Sequence, residues 1–255
     1  MNNTGKKQHS RDSVMSLGDH IEELRLRLIL ISAGLTVAVI ICLFFGKVII
    51  AFIEKPYVLA MGKNAQLQSL APVDGFTTYM QVSMISGVVI SSPWIFYHLW
   101  MYISAGLYKH EKRYVYLATP FSAMLFTVGA LFFMFAIAPI TLRFLVIFNK
   151  KVLGIESNFT FQNYISFTTM MMLVFGLAFQ TPVAIFFLNK AGLVSVQALC
   201  KSRKFVLLGI VIAAAVITPG SDIFSLASLA VPLYLLFELG ILLSCLVSRK
   251  KTNPV

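Results

Sequence analysis

Six apolar stretches punctuate this chain, and almost no charged side chain lies inside them. Crossing a hydrocarbon core of about 30 Å takes roughly 20 helical residues, so a charge-free run of that size is the strongest constraint a sequence can carry. Leu28–Phe45, Phe76–Ile103, Tyr114–Leu142, Tyr164–Leu188 and Ile223–Val247 meet or approach it. Phe205–Ile217 offers only about 13 strongly apolar residues, about 20 Å of helix. A chain of 255 residues that is 58% apolar and 12% charged, with a mean hydropathy of +0.83, is not a soluble globular domain. The expected fold class is an all-α integral membrane protein with six transmembrane helices, the last two spans short. The stretch before the first run carries acids as well as bases and lacks a small-residue cleavage pattern, so that run is expected to stay as a span.

The polar connections set the orientation. Lys47–Asp74 and Arg143–Asn163 are expected to be external loops, the first broken by Lys55-Pro56, Gly62-Lys63-Asn64 and Ala71-Pro72 and holding short helical pieces. Both termini, Ser104–Arg113 and Asn189–Lys204 hold fifteen of the 21 Lys and Arg residues, which places them on the cytoplasmic side. The net charge of +11 follows from these clusters; it forms no single basic face, so nucleic acid is not an expected partner. Residues 1–15 then form a flexible cytoplasmic tail, 16–247 a single membrane domain and 248–255 a basic cytoplasmic tail. Ser83, Gly87 and Ser91, spaced four apart, form a small-residue ridge for close helix packing. Pro120 and Pro139 are expected bending points in a third run longer than a membrane needs. Thr218–Asp222 makes the turn of a short final hairpin, which either spans a locally thinned bilayer or re-enters. Cys42, Cys200 and Cys245 have no paired spacing for a disulfide or a metal and are expected to be packing residues.

Asp19–Arg27, directly before the first span, carries the densest chemistry. Leu17, Ile21, Leu24 and Leu28 share one helical stripe while Glu22, Glu23, Arg25 and Arg27 lie off it, as in a helix resting on a membrane surface. Ser16 with Asp19 three residues on forms a capping box that would start the helix near Leu17. Glu22 with Arg25 and Glu23 with Arg27 also have the spacing of ion pairs on an ordinary solvated face. Glu23 and Glu111 fall at the same membrane surface, and paired carboxylates suit a cationic peptide, because guanidinium and carboxylate form charge-assisted bidentate hydrogen bonds. An exposed ion pair of Glu111 with Lys112 or Arg113 is the competing assignment. Glu238 lies inside an apolar run, where a carboxyl needs a partner; Gln180 is the expected companion, with His98 as a further member or simply the polar end of the second span. The chain shows no nucleotide loop, zinc-binding motif or nucleophile elbow, so no enzyme activity, cofactor or metal is expected.

His20-Ile21-Glu22-Glu23-Leu24-Arg25, Gly106-Leu107-Tyr108-Lys109-His110-Glu111, Phe175-Gly176-Leu177-Ala178-Phe179-Gln180-Thr181-Pro182-Val183 and Pro232-Leu233-Tyr234-Leu235-Leu236-Phe237-Glu238 stand in an order and spacing that resembles the TatC family. TatC is the multispanning subunit of the twin-arginine protein translocase, and the resemblance covers about Ser16 to Val247. It implies a cup-shaped bundle of six spans in the bacterial inner membrane. It further implies binding of twin-arginine signal peptides at the cytoplasmic face, assembly with single-span TatA- and TatB-like subunits in a larger complex within which the chain is a homo-oligomer, and export of folded proteins driven by the proton gradient. Glu23 and Glu111 match the acids that contact the arginine pair, with Arg25 and Tyr108 shaping the site, and Pro56 matches a proline of the first external loop. Gln180 stands where the family usually has Glu, Ala105 where Pro commonly precedes Gly-Leu-Tyr, and Gly220-Ser221-Asp222 replaces a Pro-rich turn. The first departure leaves one fewer titratable group in the membrane. A small secondary transporter or ion channel using Glu238 and Gln180 is the alternative function, although the inverted repeats such proteins often show are not evident.

Overall fold

The computed structural model describes residues 17–62, 67–105, 112–155, 159–190, 192–217 and 223–249. Its regular structure is helical, with one isolated parallel bridge between Gln68 and Thr160. Helix is what an apolar chain in lipid must adopt, because each backbone N–H and C=O then finds its partner within the same segment. The helices are α1 (Leu17–Ile53), α2 (Lys55–Met61), α3 (Asp74–Ala105), α4 (Lys112–Phe132), α5 (Ala138–Phe148), α6 (Phe161–Ala178), α7 (Thr181–Lys190), α8 (Val196–Lys201), α9 (Arg203–Ile217) and α10 (Ile223–Arg249).

The surface stretch and the first span form one continuous helix, α1, of 37 residues. It does not end at Gly46-Lys47 as its composition predicts. A helical glycine costs only about 1 kcal/mol, and here the Tyr79 ring packs on Gly46 while the Tyr79 hydroxyl donates to the Leu43 carbonyl, so the helix runs on to Ile53. Pro56 then opens α2, buried with its neighbour Tyr57. The capping residue Ser16 lies outside the described residues.

The third apolar run bends where proline predicts. A π-helical segment, Phe133–Ile137, separates α4 from α5 immediately before Pro139, which has no N–H to offer the Phe135 carbonyl. Pro120 sits inside α4 without interrupting it. Helix continues through a second π-helical segment, Asn149–Leu153, to Gly154 at φ +68°, so the second external loop starts about ten residues later than Arg143. Arg143 donates to the Leu59 carbonyl at 3.1 Å and ties α5 to α2. The fourth run breaks at Phe179-Gln180, between α6 and α7, and Pro232 is carried inside α10.

Among the described residues, five helical stretches are long and apolar enough to cross a membrane: Ile21–Met61, Asp74–Ser104, Ala118–Leu153, Phe161–Lys190 and Leu226–Cys245. The short α9, at 15 residues, falls below that length. Phe133 and Met134 of the π-helical segment after α4 form the main core with Ile165, Met171 and Phe175 of α6 and Val82 of α3. Phe96, Trp100 and Phe126 pack beside it, and Ile185, Phe237 and Ile241 join α7 to α10. Outward-facing apolar side chains such as Phe44 (83% exposed) and Val216 (80%) belong against lipid rather than water. Cys42 is buried and Cys245 half-buried, but Cys200 is exposed, which corrects its assignment to packing; it sits on α8, a short helix among basic residues.

Candidate functional site

Antiparallel pairing of α1 with α3 sets the height of every side chain at the charged end. Gly87 of the small-residue ridge lies so close to α1 that a Cβ there would stand 2.5 Å from a Val39 methyl and 3.1 Å from the Val39 Cα. Further along, the Trp94 indole covers Gly34 and donates to the Leu30 carbonyl at 2.9 Å. One helical turn beyond Trp94 comes His98, and the same register brings it beside Arg27.

Arg27 donates through Nη2 to Glu23 Oε1 at 3.1 Å and places Nη1 3.3 Å from His98 Nδ1. The i, i+4 pairing of Glu23 with Arg27 is therefore formed, with about a fifth of each side chain exposed. A guanidinium can only donate, so Nδ1 of His98 accepts and its proton resides on Nε2. His98 is 4% exposed and lies edge-on to Trp94, with ring centroids 4.4 Å apart, and to Tyr97, at 5.2 Å. His98 Nε2 and Arg27 Nε are buried with no hydrogen-bond partner among the described residues. Arg25 points outward and is exposed. Tyr108 and Glu111 lie outside the described residues, in the connection from α3 to α4. Of the two expectations for His98, the structure does not group it with Gln180 and Glu238; it lies toward the end of α3, beside Arg27 and through it Glu23.

Gln180 and Glu238 are each bonded elsewhere. Gln180, in the break between α6 and α7, donates to the Ser122 carbonyl of α4 at 2.9 Å, and the Ser122 hydroxyl accepts from Trp100 Nε1 of α3 at 3.0 Å. A neutral amide meets this need at any pH, whereas a carboxylate would set negative charge against a carbonyl oxygen. Glu238 accepts from Arg203 at 2.8 Å and from the Tyr234 hydroxyl at 2.8 Å. The carboxyl in the last apolar run is therefore paired with Arg203 at the start of α9, not with Gln180. Pro56 is buried in the first turn of α2, and the Tyr57 ring beside it meets Tyr164 at 5.2 Å and Phe159 at 6.0 Å, a structural corner. Trp94, Ser122, Tyr234 and Arg203 escaped sequence reasoning; of these, only Tyr234 carried a signal, its i, i+4 spacing to Glu238. No group of three or more His, Cys, Asp or Glu among the described residues could hold a metal.

The family model for "TatC: Sec-independent protein translocase protein (TatC)" matches residues 19–232. The chain is 33% identical over 235 residues to the Sec-independent protein translocase protein TatC of Desulforapulum autotrophicum, covering 92% of this chain and 86% of that protein. It is 32% identical to the Aquifex aeolicus protein of the same name, covering 93% and 98%. A crystal structure of the twin-arginine translocase receptor TatC superposes with a TM-score of 0.81 at 31% identity, covering 90% of this chain and 99% of that one.

Proposed function

The chain belongs to the TatC family of Sec-independent protein translocase proteins, and from that premise we propose that its charged corner at Glu23 receives the arginine pair of a signal peptide. As a family member it is a core subunit of the twin-arginine translocase, a multi-pass inner-membrane protein that works in transport rather than in catalysis. The observation that carries the reading is the Glu23 carboxylate itself, which accepts a guanidinium hydrogen bond at 3.1 Å in a partly shielded setting. Glu111 supplies the second carboxylate and Arg25 and Tyr108 shape the approach. Residues 16–247 form one cup-shaped domain of six spans, with α9 and α10 as a short final hairpin, and the tails 1–15 and 248–255 lie in the cytoplasm. TatA- and TatB-like single-span subunits dock in the membrane near Gln180 and Glu238, and copies of the chain assemble within the complex. Crosslinking of the full chain to a twin-arginine peptide and to its twin-lysine version tests the recognition. Glu23→Gln and Glu111→Gln should each weaken binding by roughly 1.5–3 kcal/mol, one charged hydrogen bond. Unchanged crosslinking in both variants would overturn it.

A further inference from the structure

The acid assigned to the ligand already holds a guanidinium. Arg27 sits four residues after Glu23 on the same helix, and its Nη2 makes the contact a ligand arginine would make. It also has a second station, since Nη1 faces His98 Nδ1 at 3.3 Å, while its Nε is buried with no partner among the described residues. A guanidinium with five donors, incompletely satisfied and touching two acceptors, is held loosely by each.

We infer that Arg27 is an internal stand-in for one arginine of the signal peptide: it covers the Glu23 carboxylate until a ligand guanidinium displaces it, and His98 retains it once displaced. The inference rests on the recognition proposed for Glu23. It also gives a physical basis for choosing arginine over lysine. Exchanging one guanidinium for another preserves a planar fork on a carboxylate, whereas an ammonium replaces that fork with a point charge. Arg27 thus sets a threshold that a lysine ligand does not clear, which makes it a specificity residue. His98 is a positioning residue, fixed over Arg27 by Trp94 on Leu30.

The test measures the affinity of the full chain, in lipid nanodiscs, for a twin-arginine peptide and its twin-lysine version. In Arg27→Gln, removal of the competitor should tighten the twin-lysine peptide more than the twin-arginine one and narrow the preference by about tenfold, the factor for about 1.4 kcal/mol. Arg27→Lys, which keeps the charge and replaces the fork, should narrow it less; it also serves as the reading if Arg27→Gln fails to fold. His98→Leu should weaken both peptides, because displaced Arg27 then has no acceptor. A preference unchanged in Arg27→Gln and Arg27→Lys, with Glu23→Gln still weakening both peptides, overturns the stand-in and leaves the recognition site intact. Should Glu23→Gln leave both affinities unaltered, the recognition site fails and the stand-in with it.

Discussion

Arg203 donates to Glu238 at 2.8 Å, joining the first residue of α9 to the middle of α10. The Tyr234 hydroxyl completes the carboxylate's shell from one turn earlier on α10. Arg203 opens α9 between Lys201 and Lys204, so the pair belongs with the basic end of the hairpin rather than with its apolar middle, where an ion would be far costlier. It therefore acts as a clasp on the short hairpin.

Breaking the clasp should loosen that hairpin. Glu238→Gln and Arg203→Met should each lower stability by about 1 kcal/mol, the scale of a partly exposed pair. The reversed pair Arg203→Glu with Glu238→Arg should recover part of it. Thermal unfolding in detergent is the measurement, and a reversed pair less stable than both single variants would contradict the clasp.

Gln180 and Glu238, with different partners, should act independently. Gln180→Leu and Glu238→Gln should add in a double-mutant cycle to within about 0.5 kcal/mol, for both stability and retention of single-span partners. Gln180→Glu is the sharper variant, because a carboxyl can donate to the Ser122 carbonyl only while protonated. Its stability should be close to that of the parent under acidic conditions and fall as pH rises, by roughly 1–3 kcal/mol once the acid ionises against a carbonyl. Melting curves at acidic and neutral pH would show the divergence, and a pH-independent variant would refute the contact.

Periodicity and local chemistry made the helices legible. Glu23 and Arg27 were readable because an i, i+4 pair needs only the helix. Pro139 marked the bend because the cost of a proline is local. The end of α1 was not readable: Gly46-Lys47 looks like a stop until Tyr79, from a helix distant in sequence, fills the space beside the glycine. The partner of His98 was not readable for the same reason. An apolar run shows that a histidine lies in a span, but only the α1–α3 register decides which of several polar groups it meets.

That register depends on close approach at Gly87. Gly87→Ala places a methyl within 2.5 Å of a Val39 methyl and 3.1 Å of backbone, so α1 must shift. Overpacking of this kind costs about 1–3 kcal/mol, and Gly87→Leu should cost more. Because Trp94 and His98 lie further along the same interface, Gly87→Leu should also weaken signal-peptide crosslinking at Glu23, though it touches no ligand. Wild-type crosslinking in a folded Gly87→Leu protein would separate the register from the site.

The orientation can be read from cysteines on opposite faces, one of them native. The division of bases puts the α2 loop and the connection after α5 outside and α8 inside. Among the native cysteines, Cys200 on α8 is exposed, Cys42 is buried in α1 and Cys245 is half-buried in α10, so Cys200 is the thiol an aqueous reagent should reach first. Lys63→Cys and Glu156→Cys, each in a Cys200→Ser background, should react with an impermeant maleimide in intact spheroplasts. The parent's Cys200 should stay unlabelled until the membrane is opened with detergent. Gln68 and Thr160 form a main-chain bridge, so the two loops are tied together and both engineered sites must lie on the same side. Labelling of one without the other would therefore contradict the bridge, and labelling of Cys200 in sealed spheroplasts would invert the topology and move Glu23 away from the cytoplasm, where a signal peptide arrives.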